Sequence, residues 1–153
     1  MSVAFRRESD EEHKEPRFEL PIPAGPNLVT KRGYSLIKAR TENLEAAVTS
    51  VSSDEQRAEL QRDLRYWRAR LATAQIAAPP IGDVVAFGTR VRIEQGGTVR
   101  TLDIVGHDEA DAAAGLIAFA SPLAQALMGA EPGEIINRPG SDQTIQVIYI
   151  ESA

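Results

Sequence analysis

The densest group of side chains capable of chemistry lies at His107, Asp108, Glu109 and Asp111. An imidazole beside three carboxylates offers metal ligands as well as proton donors and acceptors for acid–base catalysis. Such a run is nevertheless more typical of a solvated acidic loop, and we favour that interpretation. Thiolate chemistry is excluded because the chain has no cysteine. We therefore predict no metal site, no cofactor and no catalytic residue in this segment.

A second pair of carboxylates, Asp54 and Glu55, stands at the start of a predicted helix. Carboxylate oxygens are the ligands that Mg²⁺ prefers, so the pair has the chemistry of a metal-holding tip. Acidic residues also suit the first turn of a helix, where they face the positive end of its dipole. We favour this second role and keep both residues as weak catalytic candidates.

Arginines give the helix after Asp54 a basic character that would suit nucleic acid or an acidic surface. Arginines on an exposed helix also pair with neighbouring carboxylates, which is the role we favour. Tyr66 and Trp67 could stack on bases, but Trp67 falls on the apolar face of the helix, where packing is the simpler role. The arginines are Arg57, Arg62, Arg65, Arg68 and Arg70.

Charge and hydropathy exclude several classes of protein. The net charge of −5 argues against a general nucleic-acid binder, although residues 28–78 carry nine basic and six acidic side chains. The chain has neither a basic segment followed by an apolar one near its start nor 18 consecutive apolar residues. We expect a cytoplasmic protein with no membrane association.

Two helices are predicted in the first half, after a flexible or extended segment at residues 1–27 that is rich in charge and proline. From a Thr30 N-cap, apolar residues recur at alternating spacings of three and four. The pattern returns after Ser53, which with Gln56 fits a capping box. Two narrow apolar faces joined by a short connection predict an antiparallel hairpin over residues 28–78. Its apolar residues are Tyr34, Ile37, Thr41, Leu44, Val48 and Val51, then Leu60, Leu64, Trp67, Leu71 and Ala74.

After Pro80 the apolar pattern has a period of two, which is typical of strands. Gly96-Gly97 predicts a hairpin turn, and Ser121-Pro122 predicts the start of a short helix over Leu123–Met128. Residues 79–153 should therefore form a small, mostly antiparallel sheet with one helix, and the fold class is α+β. The predicted strands are Val84–Phe87, Val91–Glu94, Val99–Val105, Leu116–Phe119, Glu134–Asn137 and Thr144–Ile150.

Three motifs follow one another in the C-terminal half in the order found in one family. They are FG-x-x-V at Phe87-Gly88, VG-x-DEAD at Val105–Asp111, and SPLAQALMG at Ser121–Gly129 followed by Pro132-Gly133. In these motifs the chain resembles the C-terminal domain of the GreA/GreB transcript-cleavage factors. The segment NLVTKRGYSLIKA is similar to the start of the family's helical hairpin, so the resemblance covers residues 28–151.

The resemblance implies an FKBP-like fold for residues 79–153 and a short coiled coil for residues 28–78. It also implies RNA polymerase as the partner: the C-terminal domain docks on the rim of the secondary channel, against the β′ subunit, and the hairpin enters the channel. No sequence-specific DNA binding follows from it. The contact residues that it implies are Asp108, Glu109, Asp111, Ser121, Pro122 and Leu123.

The chain departs from the family's pattern in two places. It lacks the D-x-x-E-N tip whose carboxylates help to hold a catalytic magnesium ion in the polymerase, and its hairpin is shorter by roughly ten residues per arm, or about 15 Å. It therefore resembles the short-hairpin relatives called nucleoside diphosphate kinase regulators. Ala120 stands where GreB-type factors have an acidic residue, which implies weaker binding at that corner.

Three functions follow from these patterns. We favour a polymerase-binding regulator that is not itself an enzyme and that stimulates little transcript cleavage. The first alternative is a true cleavage factor, which requires Asp54, Glu55 or Glu59 to reach the polymerase metal. The second is an FKBP-like peptidyl-prolyl isomerase, for which a chain with four Phe, three Tyr and one Trp supplies few pocket aromatics.

Overall fold

The structure is a computed structural model that describes residues 19–153. The charged run at residues 8–15 therefore lies outside the described residues, as does Pro16. Residues 19–27 contain no helix or strand, as predicted. The end of this segment is nevertheless held in place, because Asn27 is buried and its Nδ2 donates a hydrogen bond to Thr73 Oγ1 at 3.2 Å.

The chain divides into two compact units whose limits differ from the predicted domains 1–27, 28–78 and 79–153. Among the described residues, one unit holds 19–23 and 38–72, and the other holds Ala24–Ile37 and Thr73–Ala153. The first two turns of the hairpin's first helix thus belong to the same unit as the C-terminal domain.

The predicted hairpin is confirmed as helices α1 (Lys31–Ser50) and α2 (Asp54–Thr73). Both predicted N-caps are present: Thr30 Oγ1 accepts from the Gly33 N–H at 2.9 Å, and Ser53 Oγ accepts from the Gln56 N–H at 3.3 Å. Every residue of the two predicted apolar faces is buried or half-buried, with Ile37, Thr41 and Leu64 the most buried. The pattern of threes and fours therefore identified the inner faces correctly.

A short parallel pair of strands ties the two ends of the hairpin together. Strand β1 (Leu28–Val29) pairs with β2 (Gln75–Ile76). The Gln75 N–H donates to the Asn27 carbonyl at 2.9 Å, and the Ala77 N–H donates to the Val29 carbonyl at 3.0 Å. Periodicity did not reveal this pair, because two residues are too few to display a period.

The C-terminal domain is a five-stranded sheet of order β5-β4-β3-β7-β6. Only β4 and β5 are parallel, so the prediction of a mostly antiparallel sheet is confirmed. Gly96 and Gly97 both have positive φ in the turn between β3 and β4, as a two-residue hairpin requires. The strands are β3 (Thr89–Gln95), β4 (Thr98–Val105), β5 (Leu116–Ala118), β6 (Ile135–Asn137) and β7 (Thr144–Ser152).

One face of this sheet is covered by a short helix, α3 (Pro122–Leu127). Ala124 and Leu127 of α3 are fully buried, and they join the inward-facing residues of β3, β4 and β7 in one apolar core. Burying apolar surface stabilises a fold by about 25 cal/mol per Å². This core is therefore the main source of stability in the domain. The core residues of the strands are Val91, Ile93, Leu102, Ile104, Ile145 and Val147.

The predicted strand at Val84–Phe87 is wrong. Both backbone groups of Val85 bond to the loop after α3: its N–H donates to the Ala130 carbonyl at 2.9 Å, and its carbonyl accepts from the Gly129 N–H at 2.8 Å. Ala86 is held in a turn by Thr89, whose Oγ1 donates to the Ala86 carbonyl at 2.7 Å. No strand within residues 19–153 pairs with this segment.

Candidate functional site

The acidic segment predicted to contact a partner forms a corner between β4 and β5. His107–Glu109 is a single turn of 3-10 helix, and Asp111 follows it with both backbone groups bonded to Leu116. His107 and Asp111 are exposed and Asp108 is half-buried. These residues are therefore placed at the surface, as a docking segment requires.

Glu109 corrects the interpretation of this segment as a uniformly solvated loop. Its side chain is only 5% exposed, and Oε1 accepts a hydrogen bond from Thr30 Oγ1. Arg32 Nε lies 4.0 Å from Oε2. A carboxylate is buried only where such partners compensate for lost water, and here they come from the start of α1. Glu109 holds a helix terminus and does not present its carboxylate at the surface.

Two glycines allow this close approach. A Cβ at Gly33 would lie 2.9 Å from Glu109 Oε1, and a Cβ at Gly106 would lie 2.4 Å from the Leu28 carbonyl oxygen. Gly106 has φ −76°, a backbone conformation open to any residue, so space and not conformation requires glycine there. We call the contact of Thr30, Arg32, Gly33 and Glu109 the Glu109 latch.

The second predicted contact, Ser121, Pro122 and Leu123, forms what we call the docking corner. Ser121 caps α3 by accepting the Ala124 N–H at 3.3 Å, and Pro122 occupies the first turn. Pro122 is exposed, while Ser121 and Leu123 are half-buried. The acidic segment and α3 both pack against β5, so the structure brings the two predicted contact segments to the same strand.

A groove of about 500 Å³ lies beside the Glu109 latch. Its walls include Lys31, Arg32, Phe87, Val105 and the segment Ala77–Pro80. Phe87 also packs edge-to-face on Phe119, with ring centroids 5.4 Å apart. Arg90 at the rim is held by Asp103, with Nε–Oδ1 at 2.8 Å and Nη2–Oδ2 at 3.0 Å, and this bidentate hydrogen bond raises the pKa of Arg90.

The tip candidates Asp54 and Glu55 lie in the first turn of α2, and both are exposed. Asp54 pairs with Arg57, Oδ1 to Nη1 at 3.0 Å. Arg57 also donates from Nη2 to the Val51 carbonyl at 2.7 Å, which satisfies a backbone acceptor at the end of α1. Sequence reasoning missed this role for Arg57, because a side chain that closes a turn leaves no periodic signal.

The arginines of α2 are engaged within the chain, in line with the pairing role that we favoured. Arg68 Nε lies 3.5 Å from Glu45 Oε1, and Arg40 lies over the half-buried Trp67 ring at 5.2 Å. Arg65 binds Glu19 with Nη2–Oε1 at 2.7 Å, and this hydrogen bond lowers the pKa of Glu19. Arg70 is buried and Arg62 pairs with Asp63.

Within the described part of the chain, no three histidine or carboxylate side chains lie close enough together to hold a metal ion. Among residues 19–153, neither the hairpin helices nor α3 combine the length and apolarity that a bilayer crossing needs.

Comparison with known proteins identifies the C-terminal domain. Residues 79–152 match the family model described as "Transcription elongation factor, GreA/GreB, C-term". The C-terminal domain belongs to the GreA/GreB family. The chain is 28% identical to GreA of Polaromonas naphthalenivorans over 150 residues, which cover 80% of this chain and 95% of that protein.

Shorter matches reach higher identity. The chain is 34% identical to GreB of Neisseria meningitidis over 61% of each chain, and 38% identical to GreA of Rhizobium etli over 45% of this chain and 46% of that one. Among solved structures it is similar to Gfh1 of Thermus thermophilus, at 19% identity and a TM-score of 0.42 over 84% of this chain and 100% of that one. The family model and the curated relatives confirm the resemblance that was predicted from three motifs.

Proposed function

We propose that this chain is an RNA polymerase-binding transcription regulator that docks at the rim of the secondary channel and stimulates little transcript cleavage. One observation carries the proposal: a GreA/GreB C-terminal domain is joined to a hairpin with arms of only 20 residues each. At 1.5 Å per residue, each arm is about 30 Å long. A hairpin of this length falls about 15 Å short of the family's longer arms, by the count of roughly ten missing residues.

The chemistry at the tip supports limited cleavage activity. Holding a hard cation requires carboxylates that are free to turn their oxygens towards it. Asp54 is instead paired with Arg57, which is itself bonded to the end of α1. A tip organised in this way is built to close a turn, and it lacks the family's D-x-x-E-N sequence.

The docking surface of the proposal consists of Asp108, Asp111 and the docking corner. These residues lie on segments that pack against the same strand, and Pro122 and Asp111 are exposed. Glu109, which the resemblance also implied, is not part of this surface, because its carboxylate is buried and bonded to Thr30. Because the proposed partner is RNA polymerase, we expect the chain to act in the cytoplasm as an accessory factor of transcription.

Binding to purified core RNA polymerase tests the proposal directly. We expect the full chain to bind. A triple variant should bind about tenfold or more weakly, as loss of a contact cluster does. Its substitutions are Asp108→Asn, Asp111→Asn and Pro122→Ala. Asp142→Asn is the matched control, because Asp142 is exposed on the turn between β6 and β7. Equal binding by the triple variant and the control would remove this surface from the proposal.

Two outcomes favour the alternatives. Efficient stimulation of cleavage by the wild-type chain, abolished by Asp54→Ala with Glu55→Ala, would make it a cleavage factor despite its short arms. Prolyl isomerase turnover by a chain that does not bind polymerase would make it an FKBP-like enzyme. The two assays need only the purified chain, a stalled elongation complex and a proline-containing peptide.

A further inference from the structure

The Glu109 latch lies where the C-terminal domain meets the root of α1. Thr30 Oγ1 has both of its hydrogen-bonding roles occupied there: it accepts the Gly33 N–H and donates to Glu109. The N-cap of α1 and the link to the β4–β5 corner are thus one hydroxyl. Neither can be lost without affecting the other.

Several independent features hold the same root. Gly106 lets the β4–β5 corner approach the Leu28 carbonyl, and β1 pairs with β2 across the two ends of the hairpin. Asn27 is 5% exposed and bonds to Thr73 at the end of α2. A site that is fixed from both ends of the hairpin and from the sheet resists local opening more than a site held by a single contact.

Helix α1 runs without interruption from Lys31, at the latch, to Ser50, at the tip. A helix without a break transmits a constraint at one end to the other, because bending it requires loss of backbone hydrogen bonds. A residue that fixes the first turn of α1 therefore acts on the helix that carries the tip.

We propose that Glu109 is a positioning residue, which through Thr30 couples docking of the C-terminal domain to the action of the hairpin. This inference rests on the proposed function for its consequence in transcription, but its structural part can be tested without polymerase. Loss of the latch would leave the docking surface intact, but it would uncouple the hairpin from the docked C-terminal domain.

The first test measures distance distributions in the free, full-length protein. The chain has no cysteine, so Ser52→Cys and Asp142→Cys introduce the only two sites for spin labels. In Glu109→Ala we expect a distribution about twice as wide as in the wild-type chain, as loss of a hinge constraint produces. Glu109→Gln should lie between the two, because its amide oxygen still accepts from Thr30.

Two variants make this test independent of simple unfolding. Asp111→Asn removes a neighbouring exposed carboxylate and should leave the distribution unchanged. Thr30→Val keeps the shape of the side chain but loses the hydroxyl, so it should match Glu109→Ala. Unchanged widths in Glu109→Ala and Thr30→Val, with circular dichroism like that of the wild type, would overturn the proposal.

The second test separates affinity from effect on polymerase. We expect Glu109→Ala to bind core polymerase nearly as tightly as the wild type. Its maximal suppression of a cleavage factor should be roughly fivefold or more weaker, which is the size of a typical coupling between sites. Equal loss in affinity and maximal suppression would assign Glu109 to the docking surface instead. If the wild type does not bind polymerase, the proposed function fails while the distance measurement still decides the latch.

Discussion

At the scale of single residues, the caps of this chain were predictable and the Glu109 latch was not. Thr30, Ser53 and Ser121 each bond a backbone N–H three positions ahead, so the sequence alone contains the whole interaction. The partner of Glu109 lies 79 positions away. An acidic residue in an acidic run carries no sign of a contact at that separation, which is why its burial was missed.

Gly33 provides a prediction whose sign depends on Glu109. Glycine in a helix is less stable than alanine by about 0.5–1 kcal/mol, so Gly33→Ala would ordinarily stabilise α1. Here the new Cβ meets Glu109 Oε1 at 2.9 Å and displaces it from Thr30. We expect no gain, or a loss, in the wild-type background.

In a Glu109→Ala background the obstacle is absent, so Gly33→Ala should raise the free energy of unfolding by up to about 1 kcal/mol. Glu109→Ala alone should cost about 1–3 kcal/mol through the lost charged hydrogen bond. Urea unfolding measures these free energies in four proteins, namely the wild type, the two single variants and the double variant. Additive effects of the two substitutions would show that Gly33 and Glu109 do not interact.

Ser121 provides a prediction about the N-cap of α3. Ser121→Ala removes the N-cap of α3 and should lower the free energy of unfolding by about 1 kcal/mol. Ser121→Asn keeps an acceptor for the Ala124 N–H and should restore most of that stability. Thermal unfolding compares the two, and equal losses in both would mean that the cap contributes little.

At the scale of elements, periodicity located both long helices, five of the six predicted strands and α3. It failed at Val84–Phe87, a run of four apolar residues with which no strand of residues 19–153 pairs. An apolar run reports burial, and a segment bonded only to a loop can satisfy that condition. The strands β1 and β2 were missed for the opposite reason, since pairing defines them and they are too short to alternate.

Arg57 determines the stability of the hairpin turn. Its guanidinium bonds the Val51 carbonyl and Asp54, and Nε lies 3.5 Å from the Val48 carbonyl oxygen. We expect Arg57→Ala to cost about 1 kcal/mol and to speed amide hydrogen exchange around residues 48–57. Arg68→Ala, which breaks a surface pair with Glu45, is the control and should leave this exchange unchanged. Slow exchange in both variants would contradict the role given to Arg57.

Glu19, the first described residue, binds to α2 through Arg65. The hydrogen bond lowers the pKa of Glu19 below its ordinary value of 4.5. A depressed carboxyl pKa means that the pair contributes above 4.5 and is lost as the pH falls through the lower, folded value. Carboxyl chemical shifts in an NMR titration should give a midpoint below 4.5 for Glu19, and Arg65→Gln should return it towards 4.5. The same midpoint in both proteins would show that Arg65 does not lower the pKa of Glu19.

At the scale of the whole molecule, family membership was predictable because three ordered motifs carry it, and residues 79–152 match the GreA/GreB C-terminal model. Function at this scale depends on a length and a charge pattern together. The arms of 20 residues determine how far the tip extends, and the pairing of Asp54 with Arg57 determines what the tip can offer there. The docking without cleavage that we propose rests on both properties.

The decisive measurement is cleavage of backtracked RNA in a stalled elongation complex, with this chain added alone and in competition with a GreA or GreB factor. We expect no stimulated cleavage by the chain alone and a concentration-dependent suppression of the competitor, weakened in the Asp108→Asn, Asp111→Asn and Pro122→Ala triple variant. Cleavage stimulated by the chain alone, and lost in Asp54→Ala with Glu55→Ala, would contradict this expectation.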